Sequence, residues 1–106
     1  MSKGPMRHRL SRQAASAGLD GEAVVLHLTD GRYYAVNASG VVLLRCIERE
    51  QGATLDELAQ ALAIAHGIDV ERARKDVLAW LDVLRAKGLV EELEEIGEAS
   101  PGGARP

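Results

Sequence analysis

The chain has 106 residues, 46% hydrophobic and 27% charged, with a formal net charge of -3. That length suits one domain with a real core, and the acidic balance argues against nucleic-acid binding, which usually brings a basic surplus. The single cysteine, Cys46, excludes an internal disulfide, and no apolar run approaches the roughly 18 residues of a membrane span, so a cytoplasmic protein is expected.

Residues 1–18 carry Lys3, Arg7, Arg9 and Arg12 and no acid. No apolar stretch follows these charges, so the segment does not read as a signal peptide. It is expected to be mostly flexible, with a short strand near Arg12–Ser16. Next come "EAVVLHL" and "RYYAV", two β-rich runs joined through Asp30-Gly31. A type I′ turn there sets Leu28 opposite Tyr33 and His27 opposite Tyr34. One face of the hairpin then carries Val24, Leu26, Leu28, Tyr33 and Ala35. The other carries Val25, His27, Tyr34 and Val36. Neither face is polar, whereas a half-exposed hairpin alternates. The ribbon is therefore covered on both sides or made for a partner.

Three helices follow. Asn37 or Ser39 caps the first, Val41, Leu44 and Ile47 give it helical spacing, and Gly52 ends it. Thr54-x-x-Glu57 is a capping box for the second, which stops at Gly67. Asp69 caps the third, where Val70, Ala73, Val77, Trp80, Leu81 and Leu84 share about a third of the circumference. Lys87 and Gly88 end it. The helices span about 12, 12 and 18 residues. "LVEEL" adds a short extended segment, and residues 93–106, acidic and then Gly/Pro-rich, read as a disordered tail. The opposite charges of the two ends attract only weakly. The expected fold is α+β and winged helix-turn-helix-like, with a small antiparallel sheet of two or three strands followed by three α-helices. The domain is placed at residues 19–92.

Catalytic chemistry is hard to find. Cys46 lies on or beside the apolar side of the first helix, where a free cysteine behaves as a small hydrophobe. His8, His27 and His66 form no pair at i, i+3 or i+4 with a carboxylate, so no metal motif exists. "GLDGEA" matches neither a dinucleotide fingerprint nor a P-loop. The reading is a non-enzyme without cofactor or metal.

The segments "DGRYYAVN", "TLDELAQALA" and "DVLAWLDVLRAKGLVE" together resemble the PqqD-like family, also called the RiPP recognition element, over roughly Leu19 to Glu92. The chain looks like a stand-alone member. The resemblance implies a module that binds the leader segment of a ribosomally made precursor peptide and presents it to modifying enzymes. The leader adds a strand to the edge matching Arg32–Asn37 and lies against the helix matching Val70–Lys87. The "GRYY" strand is similar to those of lasso peptide clusters, whose partner enzymes are a transglutaminase-like leader peptidase and a cyclase. The alternative subtype serves a radical enzyme in pyrroloquinoline quinone synthesis. This chain departs from the family at His27, where many members carry an acid, and in its N-terminal strand, which matches poorly.

Candidate peptide-binding residues follow from that frame: Arg32, Tyr33, Tyr34, Ala35 and Val36 on the strand, and Arg74, Leu78, Leu81 and Arg85 on the third helix. The tyrosines face opposite ways, so one anchors the core and the other the ligand. Arg74, Leu78 and Arg85 form a stripe beside core-facing Val77, Leu81 and Leu84, with the arginines suited to leader carboxylates. A winged-helix DNA binder is the competing class. The third helix disfavours it, since its basic residues are offset by Asp69, Glu71, Asp76 and Asp82. Neither nucleic acid nor membrane is an expected partner. Without a leader, the chain is expected as a monomer or a weak strand-edge dimer.

Overall fold

Asn37 and Thr54 each stop an extended segment and start a helix, and Asp69 starts a third. The side chain of Asn37 accepts from the backbone N–H of Gly40, that of Thr54 from Glu57 and that of Asp69 from Glu71. The Glu57 carboxylate in turn accepts from the Thr54 N–H at 3.0 Å, which completes the capping box. A computed structural model describes residues 3–96. In chain order these form β1 (Lys3–Leu10), β2 (Ala14–Leu19), β3 (Glu22–His27), β4 (Tyr33–Val36), α1 (Ala38–Ile47), β5 (Ala53–Thr54), α2 (Leu55–His66), α3 (Val70–Ala86) and β6 (Val90–Ile96).

The fold is α+β with three helices, as expected, but it holds two three-stranded antiparallel sheets. One runs β5-β1-β6 and the other β2-β3-β4. The first was not foreseen. The short strand expected near Arg12–Ser16 is present as β2, but residues 3–10, expected to be flexible, form β1 as well. The acidic segment beyond Glu92, expected to be disordered, continues β6 to Ile96, and residues 97–106 lie outside the described residues.

Charge explains this difference. Strand β1 is basic and β6 acidic, and their register sets Arg9 directly opposite Glu91, with an ion pair between them. Arg7 reaches the loop before α2, bonding the Gln51 carbonyl at 2.9 Å and the Glu57 carboxylate at 3.0 Å. Each strand alone reads as a solvated charge run. Together they form cross-strand pairs and a continuous ladder from Met6 to Leu10, with a register shift between Lys3 and Met6. Gly52, expected to end the first helix, does another job. Helix α1 already stops at Ile47, and a Cβ on Gly52 would sit 2.3 Å from the His8 carbonyl oxygen. That glycine lets the loop press onto β1.

The core lies between the sheets and the helices. Val25 and Val36 enter it from β3 and β4, Leu44 and Ile47 from α1, Leu58 and Leu62 from α2, and Ala73, Val77, Leu81 and Leu84 from α3. Cys46 is buried there, its thiol donating to the Val42 carbonyl, and burial pushes its pKa up.

Candidate functional site: the open edge of β4

The β3–β4 hairpin keeps the expected faces with a different register. Val25 pairs with Tyr34 and Leu26 with Tyr33, two residues away from the pairing that a two-residue turn imposes. Residues 28–32 form a longer loop. In it the Gly31 N–H donates to the His27 carbonyl, and the Asp30 carboxylate accepts from the Arg32 N–H. A slip of one residue exchanges the faces of a strand, whereas a shift of two preserves them. Hence Ala23, Val25 and Val36 are buried as one face. Leu26, Leu28, Tyr33 and Ala35 lie exposed on the other, with Tyr33 73% accessible.

Strand β4 is the edge of its sheet. The His27 N–H donates to the Arg32 carbonyl at 2.7 Å, and on the far side of β3 the Leu28 N–H donates to Gln13. Bonded and non-bonded pairs alternate along an antiparallel ladder. Tyr34 and Val36 therefore bond β3, while Tyr33 and Ala35 turn their N–H and C=O groups to the open side. No charged residue lies within β4 itself.

A cleft runs between this edge and α3. At one end, a hollow of about 270 Å³ is lined by Glu22, Tyr34, Ala35, Val36, Asn37 and Trp80. At the other, a hollow of about 400 Å³ is lined by His27, Asp30, Arg32, Tyr33, Tyr34, Ala86, Lys87 and Leu89. Tyr34 borders both, and the Lys87 ammonium stands 5.5 Å from its ring centroid, within cation–π range. Tyr34 is thus the core-anchored tyrosine and Tyr33 the exposed one. His27 also lies within 3.4 Å of the Asp30 carboxylate, which ties the loop to β3.

The structure brings together the strand residues Arg32, Tyr33, Tyr34, Ala35 and Val36. It does not bring Arg74, Leu78, Leu81 and Arg85 to them. Leu81 is 1% exposed and belongs to the core. Arg74 pairs with Asp56 of α2 at 2.6 Å, and Arg85 pairs with Asp82 and with Glu92 of β6. Leu78 is 46% exposed on that same flank of the helix. Trp80 and Ala86 of α3, with Lys87 at its C-cap, line the cleft. The helix buries one arc and has two flanks, and the expected stripe occupies the flank turned to α2 and β6. Asp76, Trp80 and Lys87 repeat its spacing two residues later, on the opposite flank. Trp80 was the available signal, since a large amphipathic ring suits a cleft wall as well as a core.

A second strand edge, β2, also borders a helix, but its hollow is walled by Arg45 of α1 and Glu48 at its C-cap, and Ser16 bonds Glu48 across it. Unlike that hollow, the β4 cleft has aromatic walls. Among the described residues no group of His, Cys, Asp and Glu could hold a metal ion, and no helix is long and apolar enough to cross a membrane.

A bare strand edge beside an aromatic cleft is the geometry that strand-adding peptide-binding domains share. Comparison with known proteins makes the class specific. Residues 22–90 match the model of the family described as coenzyme PQQ synthesis protein D (PqqD), and the chain belongs to that family. The chain is also similar to a solved structure of TbiB1 in complex with the TbiA(beta) leader peptide. The identity is 28%, the TM-score is 0.71, and the match covers 87% of this chain and 99% of that one. No curated protein sequence matches the chain.

Proposed function

We propose that this protein is a non-catalytic recognition element that binds the leader segment of a ribosomally made precursor peptide by strand addition to β4. The observation that carries the reading is the edge itself, where Tyr33 and Ala35 turn four backbone groups outward beside a cleft walled by Tyr34, Trp80 and Lys87. The likeness to TbiB1, solved with a leader peptide, supports it. Four backbone bonds at about 0.5–1.5 kcal/mol net each contribute about 2–6 kcal/mol. Ordering a disordered peptide costs about 2–5 kcal/mol. Backbone pairing alone therefore falls short of the roughly 8 kcal/mol of a micromolar complex, and the cleft supplies the remainder through side-chain anchors. In this reading the bound leader is delivered in the cytoplasm to a transglutaminase-like leader peptidase and then a cyclase of the lasso peptide type. A DNA-binding reading loses support because Arg74 and Arg85 on α3 are already paired with carboxylates.

The test is Ala35→Pro. Its N–H points away from β3, so proline costs the sheet no ladder bond, yet it removes a donor and crowds the added strand. Amide NMR titration with the leader encoded beside this gene, and with a scrambled control, should show shifts on Arg32–Asn37 for the wild type and the true leader only. In the proline variant binding should fall at least tenfold with the melting temperature nearly unchanged. Equal binding by the variant, or equal shifts with the scrambled peptide, overturns strand addition.

A further inference from the structure

Another hollow, of about 380 Å³, lies past the end of β4, among the starts of α1 and α3 and the end of α2. Leu43 and Leu62 are buried in its floor, with Ile68 and Trp80 partly buried at its sides. Asn37 and Trp80 border both this hollow and the neighbouring one in the β4 cleft, so the two are continuous. Gly40 makes that continuity possible. A Cβ there would meet Val36 Cγ1 at 2.4 Å and Trp80 Nε1 at 3.1 Å, so only glycine lets the indole lie against the first turn of α1.

We infer that this hollow is a second subsite for the same peptide, taking a bulky apolar side chain from the segment beyond the added strand. The inference rests on the strand-addition reading. The chain of β4 turns into α1 at Asn37, so a peptide paired with Tyr33 and Ala35 runs out of backbone partners there. Continuing in the same direction, it crosses Asn37 and meets an apolar floor. Arg72 and Asp76 on the rim oppose each other in charge, so the hollow favours no sign of ligand charge. A concave apolar site with a few polar groups at its rim suits one large apolar residue. The peptide is thus read twice. Backbone pairing and the β4 cleft hold an extended segment, and the hollow beyond Asn37 measures a fixed distance to an apolar anchor.

The test uses the leader encoded beside this gene, whole and shortened from each end, against the intact chain and Ser39→Trp. Ser39 is exposed on the rim, and a tryptophan there would cover the Leu43 and Leu62 floor of the hollow. For the wild type, removing the residues beyond the Asn37 end of the strand should weaken binding about ten- to a hundredfold, as expected for one buried large side chain. The Ile68 methyl signal should move with the whole leader only. The Ser39→Trp variant should bind the whole leader at the shortened level and be indifferent to the truncation. Replacing the apolar anchor by alanine in the peptide should reproduce the loss on the wild-type chain, independently of any folding defect in the variant. If truncation at both ends leaves affinity unchanged while Tyr33–Val36 still shift, the subsite is refuted and strand addition stands. If no peptide shifts Tyr33–Val36, both readings fall.

Discussion

The two sheets have the same number of strands and opposite surfaces. In β5-β1-β6 the central strand β1 is paired on both sides, and its arginines pair with the acids of β6 and bond the loop before α2. In β2-β3-β4 the outer face is Leu26, Tyr33 and Ala35, and the edge β4 has four residues and no charge. Exposed edges normally carry charges that discourage further pairing. The first sheet spends its charges on closing the fold, and the second leaves an edge uncharged. Under the proposed function, stability falls to one sheet and recognition to the other, and substitutions should separate the two.

The largest effect is expected from proline in β1. His8 pairs with both Ala53 and Glu92, so His8→Pro breaks a ladder with neighbours on each side. A loss on the order of 3 kcal/mol is expected, at the top of the usual range for one substitution. Chemical denaturation measures it. The same change at Ala35 should cost little stability and much binding. If the two prolines destabilise the fold equally, β4 is not an open edge.

Next in size is the choice between the flanks of α3. Trp80→Ala should weaken leader binding about tenfold or more, in keeping with an aromatic anchor, while Leu78→Ala should leave it unchanged. Calorimetric titration of both variants decides this, and a larger effect at Leu78 would restore the flank that faces α2. That flank shows where the sequence stops being legible. The buried arc of Ala73, Val77, Leu81 and Leu84 is written in the spacing, as are the caps at Asn37, Thr54 and Asp69. Which side of the arc meets the sheet depends on long-range packing, and nothing local encodes it. The hairpin faces were legible because they depend only on parity, whereas the register depended on the Asp30 and Gly31 hydrogen bonds of the loop. Strand β1 was missed for a related reason. Met6, His8 and Leu10 alternate with Arg7 and Arg9 as a strand should, but the face is too weakly apolar to stand out. Its partner lies more than 80 positions away in the chain.

A smaller effect is expected from reversing one charge in the first sheet. Arg9→Glu sets two acids opposite each other at Glu91 and should cost about 1 kcal/mol, less at high salt because the pair is partly exposed. Leader binding should not change once the variant is compared at equal fraction folded. A loss of binding beyond that fraction would mean that the two sheets are coupled.

The smallest effect concerns His8, which distinguishes the sheets by pH. It is 7% exposed in the centre of β1, and its Nδ1 has no hydrogen-bond partner. Glu92 of β6 stands 3.8 Å away, with Arg85 of α3 paired to the same carboxylate. Burial lowers the His8 pKa from its ordinary value of 6.5, Glu92 opposes that shift, and Arg85 adds to it. The unfolded chain therefore binds the proton more readily than the folded one. Stability is fully present above about pH 6.5 and declines as the pH falls from there toward the lowered folded-state value. Thermal melts of the wild type and His8→Gln between pH 8 and 5 should run parallel at the upper end and converge or cross below about 6.5. Curves that stay parallel throughout would mean that His8 is not the group that titrates, and the first sheet would then have no pH dependence of its own to set against the second.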